Sequence, residues 1–108
     1  MTNSHQIVYL QRGDHRLYGE VIQEIVTRQM LWVRPLLLDI DTQVYDLRQT
    51  ADIVWPMSLF QPALDTEVIP LLAQLQDFDG KFTPPAIARQ QLQIFLHQVW
   101  QNQESTAS

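Results

Sequence analysis

At 108 residues and 45% hydrophobic composition, the chain is long enough to bury one core and too apolar to be disordered. It holds no cysteine, which excludes disulfides, thiolate nucleophiles and cysteine-based zinc or iron–sulfur sites. A formal net charge of −5, with Lys81 as the sole lysine, argues against nucleic acid and anionic membranes and for a protein partner with a basic patch.

No apolar run approaches the roughly 20 residues needed to cross a bilayer, and no signal peptide is visible, so the expected location is cytoplasmic. One globular domain is expected over residues 1–102, with a disordered tail at 103–108.

The first predicted strand spans Gln6–Gln11, and Gly13-Asp14 then signal a hairpin turn. Arg12-Gly13-Asp14 also spells an integrin-ligand motif, but three-residue matches recur by chance and no export signal accompanies this one. Leu17–Val26 alternates, with Leu17, Gly19, Val21 and Ile25 on one face and Tyr18, Glu20, Ile22 and Glu24 on the other. Thr27-Arg28-Gln29 turns the chain. Met30–Leu38 is then almost continuously apolar, as in a strand covered on both faces. Gly19 marks a bulge, a barrel corner or a close backbone approach, and Pro35 an edge or a bend. Val44–Leu47 and Ala51–Trp55 bring the count to about five strands, a spacing that predicts a small barrel or strongly curled antiparallel sheet.

Pro56–Leu64 reads as a loop with one 3₁₀ turn. A short helix is expected near 66–76, capped by Asp65 or Thr66, with Pro70 acceptable in its first turn but not its interior. Asp77–Phe82 forms a turn. Thr83 and Pro84-Pro85 open a C-terminal amphipathic helix over 84–101. Its apolar stripe is Ala88, Leu92, Phe95, Leu96 and Val99, widened by Ile87, Ile94 and Trp100. The fold class is therefore α+β: a curled antiparallel sheet, a short helix and a C-terminal amphipathic helix.

No catalytic constellation is visible. His5, His15 and His97 have no metal-ligand spacing, so no metal site is expected. The pairs Asp39/Asp41 and Asp77/Asp79 fall in turns, where aspartate bonds nearby backbone N–H groups. The three glycines never cluster to cradle a phosphate, and no serine has a nucleophile-elbow context. No cofactor is expected.

The residues that point outward to a partner are aromatic. Trp55-Pro56-Met57, with Leu59 and Phe60, is apolar, irregular and proline-rich, a segment that regular packing absorbs poorly; Trp and Tyr at such places anchor interfaces. Trp32 flanked by Arg28 and Arg34 is the second candidate, an aromatic with cations that suits a carboxylate-bearing partner. These features predict a non-catalytic adaptor or accessory subunit that binds another protein through these residues or a sheet edge, which also admits a homo-oligomer. The alternative is a ligand-binding or enzymatic domain with a pocket at the barrel mouth, marked by Asp52, Arg34 and His15 or His97 gathered together.

LYGEVIQ and LWVRPLLL, followed by DIVWP, resemble the strand rhythm of small SH3-like barrels over about residues 7–56. The composition, 15 glutamines against one lysine, resembles that of small uncharacterised proteins of cyanobacteria. The resemblance implies a subunit or accessory factor of a larger complex and carries over no site residue.

Overall fold

The computed structural model describes residues 6–40, 43–76 and 85–107. Six strands are formed: β1 (Ile7–Arg12), β2 (His15–Ile25), β3 (Met30–Ile40), β4 (Gln43–Asp46), β5 (Ile53–Pro56) and β6 (Gln61–Pro62). Two helices follow, α1 (Asp65–Gln76) and α2 (Pro85–Ala107). All strand pairs are antiparallel, in the order β4-β3-β2-β1-β6, with β5 also on β3. The α+β class holds, but the sheet has six strands and does not close into a barrel. The extra strand, β6, is two residues pairing with Val8 and Tyr9, inside the segment expected as loop. The expected 3₁₀ turn is Met57–Leu59. His5, Asp41, Asp77–Phe82, Thr83 and Pro84 lie outside the described residues.

β3 organises the sheet. One edge pairs with β2; the other is divided, Met30–Val33 pairing with β5 and Leu37–Ile40 with β4. Pro35 falls in the gap between these partners, where no ladder bond to either requires its missing N–H. A central strand thereby accommodates a residue that the sequence places at an edge or a bend.

Two bulges set which side chains face which way. Between Tyr18↔Leu37 and Gly19↔Pro35 the register skips Leu36; between Val21↔Val33 and Gln23↔Trp32 it skips Ile22. Each extra residue reverses the side-chain alternation of its own strand. Ile25, which simple alternation aligns with Val21, is therefore turned to the opposite face, opposite Met30. Gly19 is the close approach: a Cβ there would collide with Val33 Cγ1 and lie 3.1 Å from the Arg34 carbonyl oxygen.

On the inner face, Leu10, Leu17, Leu38 and Leu47 pack against Ala88, Leu92, Phe95, Leu96 and Val99 of α2, the stripe expected from its spacing. Val8, Val21, Leu31 and Val33 continue that face under Met57 and Phe60. On the outer face Tyr18, Leu37 and Val44 meet Val68 of α1, with Leu71 and Leu72 beside it. Ile87 and Ile94 do not widen the α2 stripe, being exposed, whereas Trp100, though half-exposed, widens it through its contact with Trp55.

Helix α1 begins before the expected residues. Val68 N–H bonds to Leu64 O at 3.2 Å, and Glu67 Oε1 accepts the Leu64 backbone N–H at 2.9 Å. Glu67 thus supplies the returning half of a capping box, and Leu64 rather than Asp65 or Thr66 occupies the cap position. Pro70 consequently lies inside the helix. Helical backbone in α2 runs on to Ala107, over the segment expected as a tail. Beyond Pro85 the chain has no glycine or proline, and its Gln and Glu residues favour helix.

Candidate functional site

The two halves of the outer face differ. Over β1, the first half of β2, the second half of β3 and β4, helix α1 is held by more than apolar contact. Arg16 Nη1 donates to Glu67 Oε2 at 2.8 Å and its guanidinium stacks 4.4 Å from the Tyr9 ring centroid. Tyr18 Oη donates to the same Glu67 oxygen at 3.3 Å. Burial, the largest cause, pushes the Tyr18 phenol above its ordinary pKa and keeps it a donor. Glu67 therefore both caps α1 and ties it to the sheet.

Over the second half of β2, the first half of β3 and β5, no described helix covers the outer face. Register places its side chains in three rungs: Ile25, Met30 and Pro56; then Gln23, Trp32 and Val54; then Glu20 and Arg34. Trp32 is 36% exposed and Val54 47%. Asp52 joins the last two rungs: its Oδ2 accepts the Trp32 indole Nε1–H at 3.0 Å and its Oδ1 the Arg34 Nε–H at 3.4 Å. The indole is thus fixed in one orientation at the surface.

At the hairpin end of the sheet lies an open groove of about 540 Å³, which shares Met30 and Pro56 with this face and Glu24 and Met57 with the inner side. Its lining is apolar at Val26, Met30, Pro56 and Met57 and charged at Glu24 and Arg28. A 3₁₀ turn at Val26–Arg28 and a left-handed Gln29 (φ 53°) shape one wall; Met57 N–H bonds to Gln29 O at 2.8 Å and clamps the other wall against it. Met57 also lines a second cavity of about 250 Å³ with Val8, Leu31 and Phe60.

The two expected clusters are therefore redistributed. Trp32 and Arg34 stand together on the open face, while Arg28, Pro56 and Met57 line the groove at the end of the sheet. Trp55, Leu59 and Phe60 turn inward and pack, half-buried, against the α2 core. Trp55 meets Trp100 edge to face, with centroids 5.7 Å apart. Val54, Met30, Val26 and Asp52 belong to the site and were not singled out as partner-binding from the sequence. An isolated apolar residue reads as core, and the bulge at Ile22 is not marked by any residue type.

Among the described residues no group of three or more His, Cys, Asp or Glu side chains converges to hold a metal. The groove lining includes Glu24 but no histidine, and Asp52 pairs with Arg34 outside it. No helix among the described residues is long and apolar enough to cross a membrane. Comparison with protein-family models, curated proteins and solved structures finds no match to this chain.

Proposed function

We propose that this protein is a small non-catalytic binding module of the cytoplasm, an adaptor or accessory subunit that docks another protein on the open half of its sheet. The observation that carries this reading is the exposed Trp32–Val54 face, whose first rung, Met30 and Pro56, also borders the Val26–Met57 groove at the end of the sheet. Trp32 and Val54 stand exposed on that face, with the indole already held by Asp52. Exposed apolar surface rimmed by charge is the usual mark of a protein-binding site. Trp and Arg dominate such sites energetically, and methionine walls adapt to the shape of what they receive.

A photo-crosslinking amino acid placed at Val26, 68% exposed in the groove wall, tests the reading in native lysate against the same group at Ile87, 45% exposed on α2. One protein partner captured from Val26 and not from Ile87 is expected. Equal capture from both, or from neither, removes the proposal.

A further inference from the structure

We infer that α1 is an order–disorder latch on the outer face: it is helical only while docked, and it leaves the sheet by unfolding rather than by swinging away as a helix. This goes beyond the binding-module reading and does not depend on it. Three features of the helix carry the inference.

The first is a shared carboxylate. Glu67 Oε1 accepts the Leu64 backbone N–H at 2.9 Å, which caps the helix. Its Oε2 accepts from Arg16 Nη1 at 2.8 Å and from Tyr18 Oη at 3.3 Å, which docks it. One rotamer serves both purposes. The sheet holds Glu67 in the orientation that closes the cap, and the cap holds the turn that brings Glu67 to the sheet. Leu64 has no side-chain oxygen with which to cap the helix instead.

The second is the weakness of the helix on its own. Twelve residues stand at the lower limit for a helix alone in water. Pro70 lies inside it and has no N–H to give to the carbonyl one turn before. Thr66, Val68 and Ile69 are β-branched, which lowers helix propensity further. Such a segment does not stay helical once it is free of the sheet.

The third is where the contacts fall. Val68, 2% exposed, packs with Tyr18, Leu37 and Val44, and its N–H closes the first turn on Leu64 O at 3.2 Å. Docking bonds, cap and first helical bond are thus gathered on Glu67 and Val68, two adjacent residues. Breaking one set releases the others, and the element opens as a unit. Any change that takes Arg16 from Glu67 therefore frees a twelve-residue segment rather than one contact.

The test is amide hydrogen exchange of the ¹⁵N-labelled full chain, read by NMR in wild type, Arg16→Met and Pro70→Ala. The first variant removes a partner on the sheet without altering α1. The second strengthens the helix at an exposed position without altering the sheet. In the wild type, the amides of Val68, Leu71, Leu72 and Ala73 should exchange together, and faster than those of Phe95 and Leu96 in α2. Arg16→Met should speed all four by one common factor of about tenfold, leaving Phe95 and Leu96 unchanged. Tyr18→Phe deletes only a hydroxyl and should speed the same four about threefold, which keeps the test decisive if Arg16→Met disturbs β2. Pro70→Ala should slow all four together by about tenfold or more.

A helix that swings free intact keeps its hydrogen bonds, so α1 rates unmoved by Arg16→Met and Tyr18→Phe overturn the inference. So does acceleration confined to Val68, which is fraying of the first turn, or a Pro70→Ala variant with wild-type rates. Exchange of α1 no faster than that of Phe95 and Leu96 overturns it as well, because α1 then opens only with the whole molecule.

Discussion

Replacing Gly19 by alanine tests the geometry that sets the sheet's register. The added methyl would overlap Val33 Cγ1, which belongs to a side chain only 1% exposed, and would press on the Arg34 carbonyl at 3.1 Å. Overfilling a packed core in this way costs about 1–3 kcal/mol, while alanine in a strand recovers roughly 0.5–1 kcal/mol of backbone entropy. The net expectation is a loss of about 1–2 kcal/mol. Val33→Ala alone removes two buried methyl groups and leaves a cavity, a loss of about 2–3 kcal/mol. In the double variant the obstructing Cγ1 is gone, so Gly19→Ala adds almost nothing to that loss. The coupling is then about 1–2 kcal/mol, well outside the few tenths that separate independent sites. Urea unfolding of the four proteins, followed by fluorescence of the three tryptophans, measures it. Strictly additive losses would refute the claim that Val33 is what Gly19 makes room for.

Other expectations concern the core, the α1 attachment and two carboxylates. Phe95→Ala, at the centre of the α2 contact and 1% exposed, should cost about 3–5 kcal/mol in the same assay. Tyr18→Phe removes one bond to Glu67 and should cost about 0.5–1.5 kcal/mol, with faster amide exchange in α1 as the specific sign. Burial, against the pull of Arg16 and His15, raises the Asp39 pKa in the folded state. Folded protein then holds that proton to higher pH than unfolded, so Asp39 favours folding as pH falls through its folded pKa and opposes it above. Asp39→Asn should therefore raise the melting temperature near neutral pH and lose that gain in acid. Asp46 behaves oppositely, because its hydrogen bonds from Arg48 hold the folded pKa down. Its contribution is present above the unfolded pKa and disappears as pH falls through the folded one; in Arg48→Gln that part of the acid sensitivity should shrink, leaving what the backbone N–H of residue 48 supplies.

How much of this was legible in the sequence depended on how local the cause was. The α2 stripe could be read directly, because helical spacing alone decides that Ala88, Leu92, Phe95, Leu96 and Val99 share a face. The first five strands were legible from alternation and turn residues. β6 was not, since a two-residue strand exists only because Val8 and Tyr9 offer it an edge. The start of α1 was missed for a similar reason: Leu64 is a poor cap by residue type, and Glu67 supplies the cap from within the first turn. The site was half legible. Trp32 and Arg34 drew notice by chemistry, but Asp52 joins them across strands twenty residues apart in the chain. Trp55 and Phe60 looked unabsorbed only while the inner core they fill was out of view. The bulge at Ile22, which turns Ile25 to the open face, has no signature in composition at all.

The divided edge of β3 has a consequence for how the molecule breathes. Because β4 and β5 hold separate stretches of one strand edge, with Pro35 between them, neither ladder depends on the other for its hydrogen bonds. Such a sheet opens in two units rather than one. The β5 unit can loosen, and exchange its amide protons, while the β4 unit stays closed beneath α1, tied by Arg16, Tyr18 and Glu67. The half of the protein that carries the open face is thus free to adjust without disturbing the half beneath α1.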